Sequence, residues 1–136
     1  MAQPPVIASR RHPLVHACRE ARSGGDAQPV LLDGWHLLVE ATAAPIAVDA
    51  VLVGGEPPGA AERAALAALH ERGAQVVQVT ADVLHVASPV RTPSGVVALA
   101  RRPPSRLDAV FLPAPALTVV LVDVQDPGNV GAVIRS

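Results

Sequence analysis

IAVDAVLVGGEPPGAAERAALAALHERGAQVVQVT, residues 46–80, sets out an α/β unit in one continuous stretch. Its first part is rich in β-branched residues and lies between Pro45 and the pair Gly54-Gly55, which predicts a strand. A helix over 59–73 follows, with Ala61, Ala65, Leu66 and Leu69 as its buried stripe. Glu62 stands in its first turn and Arg72 in its last, each complementing the helix dipole, and Gly73 ends it. AQVVQVT, 74–80, is a second strand.

The same alternation extends in both directions. Downstream, ADVLHVA is a short helix with Thr80 as its cap, and SGVVALARR is a further strand. Upstream, PVLLDG is a brief strand closed by Asp-Gly, and WHLLVEAT sets Trp35, Leu38 and Val39 at helical spacing. A first helix spans 13–22. Pro13 suits its opening turn, Leu14, Val15 and Cys18 share one side, and Gly24-Gly25 stops it. Strands alternating with helices imply an α/β fold with a mostly parallel, helix-covered sheet.

Composition narrows the class. Half of the 136 residues are apolar, enough for a core, yet Trp35 and Phe111 are the only aromatics, so Ala, Val and Leu must fill it. All 11 basic side chains are Arg. Coding bias is the plainer explanation; the functional one is that planar guanidinium suits phosphate better than an ammonium. A net charge of −1 provides no global attraction for nucleic acid, so any RNA contact must be local. Cys18 stands alone, which excludes a disulfide framework and a cysteine-based metal site. No secretory h-region or bilayer-length apolar run is visible, and a cytoplasmic, non-membrane protein is expected.

After residue 103 the pattern changes. Residues 1–9 read as a flexible N-terminus, 10–103 as the first domain, 104–116 as a proline-rich linker with a short extended piece at 109–112, and 117–136 as the start of a second domain. LTVVLVDVQ, hydrophobic throughout, predicts a strand buried on both faces. It runs into DPGN, a tight turn with Pro127 second and Gly128 where φ turns positive. Asn129 can then cap a helix starting at Val130, and Arg135 can lean back toward the loop mouth at Asp126 and Asn129. A strand tip meeting a helix N-terminus is where α/β proteins hold ligands. An equally simple reading makes Asn129 only a cap and Arg135 only a partner for Asp126.

VDVQDPGNVGAVIRS, 122–136, closely resembles the first motif of the SpoU (TrmH-type) RNA ribose 2′-O-methyltransferases, a strand followed by D-P-x-N-x-G-x-x-x-R. Asp126, Pro127, Asn129, Gly131 and Arg135 occupy its positions. HPLVHACREAR, VLLDGWHLLVEA and TPSGVVALARRP look like parts of that family's N-terminal substrate-binding domain, which is similar to ribosomal protein L30e. Thr92, Pro93, Ser94 and Gly95 stand at its usual turn, while Asp33 departs from the common Glu.

The resemblance implies S-adenosylmethionine as cofactor, structured RNA (ribosomal or transfer) as partner, and a homodimer. It also implies a knotted methyltransferase domain, of which 117–136 would be the beginning; the chain reads as a fragment without the cofactor pocket and inactive alone. Asn129 and Arg135 would be catalytic, with Arg135 orienting the hydroxyl and phosphate. Asp126, Pro127, Gly128 and Gly131 would shape the loop. Arg10, Arg11, His16, Arg19 and Arg22, with His12, form a cluster able to grip RNA phosphates, or simply a solvated helix face. Arg91, Arg101 and Arg102 either join that patch or guard a sheet edge. His36, His70 and His85 carry no assigned role, and Trp35 is expected in the core rather than stacked on a base. Two rivals remain: a stand-alone L30e-like RNA-binding module, and a dimerisation module without RNA affinity.

Overall fold

The computed structural model describes residues 6–23, 29–101, 106, 108 and 117–136. Contacts divide the chain into two compact units, Met1–Pro103 and Pro104–Ser136. The expected Gly24-Gly25 stop, Arg102 and, apart from Arg106 and Asp108, the proline-rich linker with its piece at 109–112 lie outside the described residues.

Helix α1 (Pro13–Arg22) starts where Pro costs least, at the first helical position, and His12 Nδ1 accepts from the Leu14 N–H at 3.3 Å. Val15 and Cys18, one turn apart, are its buried residues. Strand β1 (Val30–Asp33) leads through Gly34 into α2 (Trp35–Ala43), which buries Leu38 and Ala41. Gly34 has φ +105°, and a Cβ there would sit 2.9 Å from Ser94 Oγ, so only glycine fits this junction. Strand β2 (Ala47–Val53), helix α3 (Ala60–Glu71) and strand β3 (Gln75–Gln78) form the unit read from residues 46–80. Gly73, at φ +95°, follows the end of α3. Ala65 and Leu69 are buried as expected, but Ala61 is exposed. Helix α4 (Ala81–Ala87), capped by Thr80, and strand β4 (Val96–Arg101) complete the unit.

The sheet order is β1-β4-β2-β3. Strands β2 and β3 pair in parallel, whereas β4 lies between β1 and β2 and runs antiparallel to both. The mostly parallel sheet is therefore corrected to a mixed one. The cause is the length of α4. Seven residues rise only about 10 Å, and residues 88–95 bring the chain back to the same end of the sheet, the C-terminal end of β2, where the Gly54 N–H donates to Gly95 O at 2.9 Å. Entering from that end, β4 must oppose β2.

Alternation along β2 sorts the core. Ala50 and Leu52 pack with Val15, Cys18, Val83 and Leu84 on the face covered by α1 and α4. Val51 and Val53 pack with Leu38 and Leu69 on the face covered by α2 and α3. Residues of opposite parity reach opposite faces, as a pleated strand requires. Of the N-terminus expected to be flexible, Ile7 is pinned: its N–H donates to Gln78 O at 2.8 Å, and its carbonyl accepts from the Thr80 N–H at 3.1 Å.

In the second unit, the strand expected over 117–124 is not formed. These residues have no ladder partner among the described residues, and Leu117 and Val122 are 95% and 80% exposed rather than buried. An apolar run becomes a strand only when another strand takes its N–H and C=O groups. Helix α5 (Pro127–Arg135) follows and buries no residue. Among the described residues, no helix is long and apolar enough to cross a membrane.

Candidate functional site

The helix after the loop read as DPGN begins three residues earlier than its spacing indicates. Asp126, not Asn129, is the N-cap of α5: its Oδ1 accepts from the Gly128 N–H at 2.7 Å. Its carbonyl accepts from the N–H groups of Asn129 and Val130 at 3.1 and 3.3 Å. Pro127 is the first helical residue, so Gly128 is helical and does not take the positive φ expected of it. Asn129 sits inside the first turn, exposed, with its side chain released from the capping role.

Arg135 is the last residue of α5 and leans back over the preceding turn. Its Nη1 lies 3.4 Å from where a Cβ on Gly131 would stand. The structure thus brings Gly131 and Arg135 together. It forms no ion pair between Arg135 and Asp126, so that pairing is not seen among the described residues. Six helical positions place Asn129 and Arg135 about 120° apart around the axis and about 9 Å apart along it. Neither holds the other; the two present separate polar groups on one exposed helix.

The basic cluster on the first unit is partly committed. Arg10 pairs with Asp82 at 2.7 Å and His16 with Glu20 at 3.4 Å, while His12 caps α1. Arg11, Arg19 and Arg22 have no carboxylate partner among the described residues. Arg91 joins this group rather than a sheet edge, sharing with Arg22 a cavity of about 310 Å³ that His85 and Ser88 also line. Arg101 instead pairs with Asp49 on the neighbouring strand at 2.9 Å. Asp33, the departure from Glu, ties β1 to the loop after α4, because its Oδ2 accepts from the buried Ser88 hydroxyl at 2.5 Å.

One feature escaped the sequence. A cleft of about 580 Å³ opens beside Trp35, bounded by Gly55, Glu56, His85, Ser94 and Gly95. Trp35 is only half buried against the α2–α3 core, leaving its indole edge at the cleft. The available signal is the set of glycines at 34, 54, 55 and 95 around a lone tryptophan. Distances in sequence hide their convergence. Among the described residues, no group of three or more His, Cys, Asp or Glu is placed to hold a metal ion.

No family model matches the sequence. The 23S rRNA (guanosine(2553)-2′-O)-methyltransferase RlmP of Bacillus subtilis (strain 168) is 32% identical over 107 residues, covering 78% of this chain and 38% of its own length. A solved RNA 2′-O ribose methyltransferase superposes with a TM-score of 0.70 at 27% identity, over 96% of this chain and half of that one. An AdoMet-bound rRNA methyltransferase from Sinorhizobium meliloti matches with a TM-score of 0.59 over 75% of this chain and 38% of that one, and at 16% identity it speaks for the fold alone. The chain spans 38% of the length of the curated relative it matches.

Proposed function

Since the chain belongs to the SpoU/TrmH-type RNA ribose 2′-O-methyltransferases, we propose that it provides RNA binding and the first catalytic motif for methylation of a ribose 2′-hydroxyl in ribosomal or transfer RNA. The observation that carries this reading is the set Asp126, Pro127, Asn129, Gly131 and Arg135, held on a capped helix with the arginine folded back over Gly131. In this reading residues 10–103 are the L30e-like substrate-binding domain, 104–116 the connector, and 117–136 the opening of the methyltransferase domain.

The family implies S-adenosylmethionine as methyl donor, but the described residues of the second unit do not fit it. Residues 117–129 are exposed throughout, and α5 buries nothing that could wall an adenosine pocket. We therefore assign the pocket to later parts of the family fold and derive no step through the cofactor.

The ribose side can be derived. A 2′-hydroxyl is a poor nucleophile, so a protein can help it by holding it in place and by lowering the cost of proton loss. A guanidinium is a permanent cation and a donor only; Arg135 is such a group. It therefore serves as an orienter that neutralises the adjoining phosphate and donates to the oxygen as negative charge builds, not as the base; the hydroxyl proton passes to solvent water. Asn129, exposed in the first turn, offers an amide to the ribose from a separate direction. Asp126 and Pro127 fix the start of the helix, and Gly128 and Gly131 keep its surface low where RNA would approach.

The test is a chimera in which this chain replaces the aligned part of RlmP. Arg135→Ala should reduce methyl transfer by about 100-fold, the scale of lost positioning, with cofactor affinity unchanged. A variant retaining more than a tenth of the parent rate would remove Arg135 from the reaction.

A further inference from the structure

Two cavities of the first unit share one side chain, His85. The larger lies where the loop after β2, the starts of α2, α3 and α4 and the turn before β4 meet, and its volume is that of a small-molecule site. Its polar groups divide into committed and available. The Glu62 carboxylate accepts from the Gly59 N–H and is committed. The Glu56 carboxylate, His85, the Ser94 hydroxyl and the Trp35 indole N–H have no hydrogen-bond partner among the described residues. The indole edge is kept open by Gly95, since a Cβ there would come within 3.2 Å of Trp35 Nε1.

The smaller cavity is basic. Arg22, from the end of α1, and Arg91, from the loop before β4, both line it, and neither has a carboxylate partner among the described residues. Ser88, also in its wall, directs its hydroxyl to Asp33 and the Val90 carbonyl. Two guanidinium groups lining one opening can share an anion, and their planar forks suit a phosphate.

We propose that the two cavities form a single nucleotide subsite that captures an unpaired guanosine of the RNA. The base lies in the cleft beside Trp35, the phosphate lies between Arg22 and Arg91, and His85 spans the two. The two one-sided groups of the cleft, Glu56 and the indole, select the base. Glu56 only accepts, and the indole only donates. Guanine presents N1–H and N2–H₂ to a carboxylate and O6 to an N–H donor. Adenine has no carbonyl, uracil has one N–H between two carbonyls, and the cytosine N3 lone pair would face the carboxylate. The subsite rests on the RNA-binding reading above and extends it to residues away from α5.

Trp35 is the only tryptophan and there is no tyrosine, so intrinsic emission reports on the cleft directly. The intact chain is titrated with GMP, AMP and short single-stranded RNAs carrying one G or one A. Saturable quenching by GMP and by the G-containing strand is expected, with the A-containing strand at least about tenfold weaker. Glu56→Gln, an exposed loop change, should erase the preference for G. Arg22→Ala and Arg91→Ala should weaken both strands alike, each lowering the salt slope of log K by about 0.7. An unchanged G-to-A ratio in Glu56→Gln overturns the proposal. RNA retained on filters while Trp35 emission stays constant overturns the subsite and leaves the RNA reading standing. Quenching by GMP without any binding of RNA marks a free-nucleotide site and overturns both.

Discussion

Cys18 illustrates how one buried atom sets a pH limit. Fully enclosed between α1 and the sheet, its thiol is pushed by desolvation from the ordinary 9.0 to about 11. The folded state thus prefers the protonated thiol more than the unfolded chain does. That contribution is complete below about pH 9 and is lost as pH rises toward 11, at up to about 1.4 kcal/mol per pH unit. The stability advantage of wild type over Cys18→Ala, from urea titrations, should therefore be constant to about pH 9 and shrink above it. A difference independent of pH would mean that the thiolate is tolerated in place. The shared apolar side of Leu14, Val15 and Cys18 already announces this burial, because helical periodicity is a local property. Trp35 is harder to read: its ring joins the core while its N–H edge faces a cleft made by Gly95 and His85, residues far along the chain.

At the scale of elements, the start of α5 separates two candidates only one turn apart. Asp126 and Asn129 are both good caps by residue type, and a tight turn over DPGN favours Asn129. The deciding signal is Pro127, which is at home in the first helical position and so designates the residue before it. Asp126→Ala should reduce the helicity and stability of α5 by about 1 kcal/mol, whereas Asn129→Ala should leave both nearly unchanged. Circular dichroism of the two variants decides it; equal losses would return the cap to Asn129. The sheet departs from expectation for a different reason. A central antiparallel strand such as β4, with Val96 to Ala100 all buried, has the same unbroken apolar spelling as a parallel one. Direction depends on where the preceding connection ends, and only the length of α4 carries that information. For 117–124 the apolar run is legible but its partner is not, since pairing belongs to another segment.

At the scale of the whole molecule, the buried clusters seen among the described residues belong to the first unit. Every buried residue of both core clusters lies between Val15 and Leu99, and α5 buries none. Hydrophobic stabilisation follows area removed from water, so a segment without buried side chains adds little to cooperative unfolding. The alternating pattern over 10–103 is therefore enough to locate the core, although it does not disclose the strand directions. A chain of residues 1–103 should unfold cooperatively with a midpoint within about 4 °C of the 136-residue chain, the shift equivalent to no more than about 1 kcal/mol for a domain of this size. The apolar run Leu117, Val119, Val120 and Val122, at 66–95% exposure, should bind a hydrophobic dye in the longer chain and be lost in the shorter. Differential scanning fluorimetry and dye titration of the two chains measure both effects together. A drop in the midpoint well beyond this range would show that residues 104–136 stabilise the first unit, and would transfer part of the folding energy to the segment bearing Asn129 and Arg135.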